Sequence, residues 1–350
     1  MLTDMIRWRR ALHRIPETDW QVEQTRDYLA AQLAPMGCRI FSPVGSALCA
    51  RFDCGAARTV AFRSDMDALP IAEKTGLPFA SEHAGRMHAC GHDGHMAILL
   101  GPAQSLSRTP PKDVNVLLIF EPAEETTGGA KAICESGALD AVDEVYGLHL
   151  WPELPKGVVA SRAGGMMSRS CEMTVTFAGK SVHLAKWREG CDATAAAARF
   201  VCALYNAVQD VDCLARFGTL RSGQARGQVS DLARLEGSLR CTDEALHERL
   251  REQVRVLAQR EAHGCTAEVS FSEGYPPVTN DAALLHRAAQ RFPVAQAEKT
   301  FITEDFSFYQ KKAAGVFFFL GTGGEALHSP YFDFDETVLE QGLALFRALL

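Results

Sequence analysis

Between residues 87 and 96 the chain reads Met-His-Ala-Cys-Gly-His-Asp-Gly-His-Met, placing three of its eleven histidines beside a cysteine and an aspartate. Imidazole, thiolate and carboxylate are the side chains that bind borderline divalent cations. Two ligands do not make a site, so other groups must converge on Cys90 and His92. Three segments offer them: Glu124 and Glu125 in EPAEE, His149 in YGLHL, and His328 in GTGGEALHSP. Each follows or closes a short apolar run that reads as a buried strand. In an open parallel sheet, ligands bind beyond the carboxyl ends of the strands. Cys90 and His92 alternate across what reads as an extended turn, so both face one point only if Gly91 lets the chain bend.

Cys90, His92, Glu125, His149 and His328 are more ligands than one tetrahedral zinc ion takes. A pair of divalent cations sharing a bridging ligand, roughly 3.5–4 Å apart, accommodates them. Such a pair lowers the pKa of a bridging water and polarises a carbonyl. The water then needs a proton acceptor that is not itself a ligand. The doublet Glu124-Glu125 supplies both functions, one carboxylate on metal and its neighbour as general base. Asp65 and Asp67, in FRSDMDALP, are expected to orient ligand histidines from behind. Taken singly, each group has a plainer reading: a hydrogen-bonded histidine, a solvated glutamate pair, a small buried cysteine. Their joint placement at strand ends favours metal. His88 and His95 read as ordinary neighbours, because five better-placed groups already fill the site.

The elements that must position these groups are legible as a pattern. RTVAFRS (58–64), VNVLLIF (114–120) and DEVYGLHL (143–150) read as buried strands, with a helix from Gly94 to Leu106 between the first two. That alternation predicts a mixed, largely parallel α/β sheet flanked by helices. Residues 4–17 and 21–37 read as surface helices, the second closing near Gly37. The middle of the chain differs. Strand-like runs at 171–177, 214–220, 231–241 and 266–271 are interleaved with helices over 192–210 and 243–263. This βαββαβ order predicts an inserted ferredoxin-like module. The expected division is 1–167 with 275–350 for one domain and 168–274 for the insert.

Composition narrows the class. The 350 residues are 47% hydrophobic and 23% charged, with a formal net charge of −7. That balance suits a globular protein, and without a basic stripe it argues against a nucleic-acid partner. No apolar run reads as a signal peptide or a membrane span. Eleven scattered cysteines with no CxxC pair read as reduced thiols, which points to the cytoplasm.

The segments RRALHRIPE (9–17), FRSDMDALPI (62–71), GRMHACGHDGHMA (85–97), EPAEE (121–125), GLHLWP (147–152), EDFSFY (304–309) and HSPYFDFDE (328–336) together resemble the metallo-aminoacylase family of dimetal peptidases. That family includes hippurate hydrolase, auxin-conjugate hydrolases and N-acetyl-diaminopimelate deacetylase. The resemblance implies two Zn²⁺ or Mn²⁺ ions on Cys90, His92, Glu125, His149 and His328, with Cys90 as bridge and Glu124 as general base. It implies that the inserted module is a lid that also forms a homodimer. It further implies that His183, in GKSVHLAKWREGCDA, stabilises the oxyanion in a partner subunit's site.

The chain departs from the family pattern at Trp187 and Arg188, where relatives carry Pro-His, and at Gly227, where they carry asparagine. Intact ligands with altered lid positions predict retained hydrolysis and changed substrate contacts. The expected activity is hydrolysis of N-acyl amino acids to a carboxylic acid and an amino acid. A dipeptidase with the same chemistry, a non-catalytic binder of acyl amino acids and a thiol redox protein using Cys90 are the alternatives. Amine release separates the enzymes from the binder, and a chelator separates them from the thiol protein.

Overall fold

The computed structural model describes residues 1–209 and 212–350. The chain forms two compact units. The first comprises Met1–Gly164, Thr279–Glu298 and Asp305–Leu350; the second comprises Gly165–Val278 and Lys299–Glu304.

The first unit opens with α1 (Leu2–Arg14) and α2 (Glu23–Leu33), then β1 (Arg39–Phe41), β2 (Leu48–Phe52) and β3 (Thr59–Asp65). It continues through α3 (His92–Arg108), β4 (Asn115–Glu121), α4 (Gly129–Glu135), β5 (Glu144–Trp151) and β6 (Val159–Ser161). The chain leaves along β7 (Gly164–Met167) and returns along β12 (Val278–Asn280). Then follow α7 (Ala282–Arg291), β13 (Ala295–Gln296), β14 (Ala314–Gly321) and α8 (Leu339–Leu349). Among the described residues, eight strands form one sheet in the order β1-β2-β4-β3-β5-β14-β6-β13. The centre is parallel, β3 lying between β4 and β5, with β14 beside β5. β2 joins β4 antiparallel, so the sheet is mixed.

Strands β3, β4 and β5 are buried along their whole length, as expected where helices cover both faces. Each strand lies one residue later than the apolar run that predicts it, ending on the buried residues Asp65, Glu121 and Trp151. Helix α3 packs close to the sheet because Gly94 has no side chain. A Cβ there would lie 2.7 Å from Phe334 Cζ and 2.9 Å from Leu150 Cδ1. Helix α2 stops at Leu33, before a 3-10 turn over Ala34–Met36 that ends on Gly37 in the left-handed conformation, φ 73°.

The second unit contains β8 (Arg169–Ala178), α5 (Ala193–Ala207), β9 (Cys213–Ser222), β10 (Leu232–Cys241), α6 (Glu244–Glu261) and β11 (Thr266–Phe271). Its strands pair antiparallel in the order β11-β8-β10-β9, the ferredoxin-like arrangement. Cys171, Met173, Val175 and Phe177 alternate into its core, and α5 covers them with Ala193, Ala196, Ala197 and Phe200. Asp192 and Asp243 cap α5 and α6, accepting from the amides of Ala195 (3.2 Å) and Leu246 (2.6 Å). On α6, Leu250, Val254 and Leu257 form the buried stripe, each contributing roughly 1.5–3 kcal/mol. The predicted helix over 192–210 ends at Ala207; Asp210 lies outside the described residues. No helix among the described residues is long and apolar enough to cross a membrane.

Candidate metal centre

Two short devices deliver the cluster to the carboxyl ends of β3, β4 and β5. The first is Gly91. At φ 86° it turns the chain directly into α3, so His92 is the first residue of the helix and not part of an extended turn. Glycine alone adopts that conformation freely, and the bend lets Cys90 and His92 face the same space. The second is the carboxylate of Asp67, just beyond β3. Its Oδ1 accepts from the amide of Glu124 (3.0 Å) and its Oδ2 from that of Glu125 (3.1 Å). One buried side chain thereby fixes the backbone of the glutamate doublet.

Backbone carbonyls set the histidine tautomers. His92 donates from Nδ1 to the carbonyl of Asp67 at 2.8 Å, and His149 from Nδ1 to that of Leu150 at 2.7 Å. Each ring therefore presents an unprotonated Nε2 to the centre. His149 Nε2 lies 3.3 Å from Cys90 Sγ, and His92 Nε2 lies 3.8 Å from Glu125 Oε1. His328 Nε2 approaches the same Glu125 oxygen at 3.4 Å. His328 itself has φ 63°, unusual for a side-chain-bearing residue, and its amide donates to the carbonyl of Ala89 at 2.8 Å. Donor atoms of Cys90, Glu125 and His328 lie within 4.8 Å of one another, as do those of His92, Glu124 and Glu125.

This donor set fits a metal. His92 Nε2 and Glu125 Oε1 are buried without a hydrogen-bond partner. The His92 lone pair facing the Glu125 carboxylate leaves acceptor opposed to acceptor, which a cation resolves. Burial pushes the His92 imidazolium down and holds His149 at about 3, so both rings are neutral and able to ligate. Burial, then the charges of Glu125 and Glu124, push the Cys90 thiol well up, the opposite of what ligation by thiolate requires until a cation is present. Burial works against ionised Glu125, yet His328 and His92 hold it at about 2.

The other sequence candidates divide. Asp65 and Asp67 do not bond ligand histidines through their carboxylates, and Asp67 reaches His92 through its carbonyl alone. Asp65 Oδ2 is 3.6 Å from His92 Nε2 and Asp67 Oδ1 is 3.8 Å from His92 Nδ1, both too long. The Asp67 carboxylate is occupied by the two amides, and Asp65 bonds His95 instead, at 2.7 Å. His88 is buried, with neither ring nitrogen hydrogen-bonded. In the second unit, exposed His183 caps the 3-10 turn over Leu184–Glu189, its Nδ1 accepting from Ala185 at 3.2 Å. The departures sit beside it. Leu184 bonds the carbonyl of Gly227 (3.0 Å), and Arg188 lies 5.0 Å from the exposed Trp187 ring.

Sequence reasoning missed an ionic layer around the cluster. Arg63, fully buried on β3, donates to Glu121 (2.6 Å), Asp305 (2.8 Å) and Asp65 (2.9 Å), while Tyr309 also donates to Glu121 (2.9 Å). On α1, Arg9 and His13 reach Asp93 at 3.0 and 2.8 Å. The available signal was an arginine inside an apolar strand, which demands buried carboxylates.

Comparison with known proteins agrees with the geometry. The model of peptidase family M20/M25/M40 matches residues 61–350. The chain is 35% identical to an N-acetyldiaminopimelate deacetylase of Streptococcus uberis, over all of this chain and 98% of that one. It is 33% identical to the enzyme of the same name from Oenococcus oeni, with the same coverage. A Bacillus subtilis dinuclear metal-binding peptidase of the M20 family superposes with a TM-score of 0.91 at 31% identity, covering 99% of this chain and 97% of that one. The chain is a hydrolase that belongs to peptidase family M20/M25/M40.

Proposed function

We propose that the chain hydrolyses the amide bond of N-acyl amino acids, using two Zn²⁺ or Mn²⁺ ions held by Cys90, His92, Glu125, His149 and His328. The observation that carries this reading is the pair of Nε2 lone pairs, locked by the carbonyls of Asp67 and Leu150 and aimed at Glu125 and Cys90. The deacetylase relatives support an N-acyl substrate, and the dinuclear solved structure supports a pair of ions. Bound there, the ions would polarise the scissile carbonyl and acidify a water. Cys90 would hold both ions in this reading, since its sulfur lies 3.3 Å from His149 Nε2 and within 4.8 Å of donor atoms on Glu125 and His328.

Glu124 is the general base. Held by Asp67 through its amide, it takes a proton from the attacking water and returns it to the leaving nitrogen. His183 donates to the developing oxyanion from Nε2, because its Nδ1 is already an acceptor. We assign that donor to a second copy of the chain, with the inserted module as lid and dimer interface. Free thiols at every cysteine support a reducing compartment, the cytoplasm.

Amine release from acetyl, benzoyl and longer acyl amino acids, with added Zn²⁺ or Mn²⁺, tests the reading. Glu124→Ala should lower kcat by roughly 10²–10⁴-fold with metal content unchanged. Near-normal turnover in that variant would refute the base, and release from dipeptides alone would refute the substrate class.

A further inference from the structure

One buried histidine faces the centre yet is not among the ligands proposed above. His95 is one turn along α3 from His92, and its ring lies 4.6 Å from that of His149, edge to face. By proximity it groups with Asp65, His92 and His149. Both of its nitrogens are already committed, however. Nδ1 donates to Asp65 Oδ1 at 2.7 Å, and Nε2 accepts from the amide of Leu150 at 2.9 Å. With an N–H aimed at its only lone pair, His95 cannot ligate a cation.

We propose that His95 is a positioning residue, which fixes the Leu150 backbone and through it the ring of His149. The proposal rests on the metal-binding reading above. The register of the sheet explains why such a device is needed. β5 pairs with β3 only as far as Gly147, opposite Arg63, so Leu150 lies beyond the last residue paired on that side. Its amide therefore bonds a side chain, His95, in place of a strand. The carbonyl of the same residue accepts His149 Nδ1 at 2.7 Å. Leu150 is thus held at both ends, by His95 at its amide and by His149 at its carbonyl.

The relay is anchored from below and from the side. Arg63 grips Asp65 Oδ2 at 2.9 Å, leaving Oδ1 for His95 and fixing its tautomer. Gly91 and Gly94 leave room for Leu150, whose Cδ1 would lie 3.0 and 2.9 Å from a Cβ at those positions. That room brings α3 close enough for the His95 ring to reach the Leu150 amide. A helix face and a strand end are thereby locked together behind one ligand. Second-layer partners of this kind orient ligands and raise their affinity.

Metal-free wild type, His95→Leu and His95→Gln, titrated with Co²⁺ and Zn²⁺ against a chromophoric chelator, test the proposal. Melting of the metal-free proteins checks folding. Glutamine can accept from Leu150 and donate to Asp65; leucine can do neither. His95→Leu should bind the cations roughly 10–100-fold more weakly, with an altered Co²⁺–thiolate absorption band. His95→Gln should stay close to wild type in both. Wild-type affinity and spectrum in His95→Leu would overturn the relay, as would a folded His95→Gln that loses metal. Should His95→Leu not fold, His95→Gln alone decides. Wild type that takes up neither cation would overturn the metal reading itself, and the relay with it.

Discussion

Replacing Arg63 by lysine keeps the charge and removes the fork. The guanidinium makes charge-assisted bonds of 2.6, 2.8 and 2.9 Å to Glu121, Asp305 and Asp65, all fully buried. An ammonium on a longer, flexible stem cannot keep that planar three-way geometry, so one or two of the bonds are lost. Each hydrogen bond to a charged partner is worth about 1.5–3 kcal/mol, which puts the loss at roughly 1.5–6 kcal/mol. For a folding unit of this size, each kcal/mol moves Tm by roughly 2–4 °C. Arg63→Lys should therefore lower the melting transition of the first unit by about 3–24 °C in differential scanning calorimetry. It should weaken cation binding as well, because Asp65 would lose its anchor beneath His95. A fall of less than about 2 °C would refute the claim that the three carboxylates depend on a forked cation.

Cation removal gives a second measure. At about a hundred times Kd, metal adds about 2.7 kcal/mol to the unit that holds it, so a chelator should lower its Tm by roughly 5–10 °C and stop amine release. Unchanged melting and turnover under chelation would mean no cation sits there. The His13 site supplies a third. Burial opposes its charge, but Asp93 and Glu73 raise His13 to about 9 from an ordinary 6.5, against the nearby Arg9 cation. A raised value stabilises the fold fully below pH 6.5, and the contribution disappears as pH climbs through 9. Burial also opposes ionised Glu73, which His13 and neighbouring donors hold at about 2 against an ordinary 4.5, so its share is full above 4.5 and is lost as pH falls through 2. Tm should decline between about pH 6.5 and 9, and His13→Asn should flatten that decline; an unchanged profile in the variant would refute the assignment.

Much of the catalytic half was legible because buried parallel strands announce themselves as unbroken apolar runs. The positions of Glu124, Glu125, His149 and His328 followed from where such runs stop, and those of Cys90 and His92 from the cluster of histidines around them. The ferredoxin-like insert was legible in the alternation of Cys171, Met173, Val175 and Phe177. The roles of Asp65, Asp67 and His95 were not, because residue type does not reveal which atom a carboxylate or imidazole uses. Asp67 serves the centre through its backbone oxygen and through two amides, which no side-chain pattern encodes. Long-range ion pairs were equally hidden: Arg9 meets Asp333 at 2.6 Å across 324 positions, and an arginine on an opening helix reads as solvent-facing.

The bond between the amide of His328 and the carbonyl of Ala89 has a consequence for how the protein matures. It fastens a late loop to the residue preceding Cys90, so the last proposed ligand and the first are tethered by main chain. The whole ferredoxin-like module lies between His149 and His328 in the order of synthesis. A growing polypeptide that has emerged only as far as the module has four of the five proposed ligands and no tether. Stable loading with cations must then await emergence of the loop that carries His328, which makes metal content a report on completed folding of the first unit.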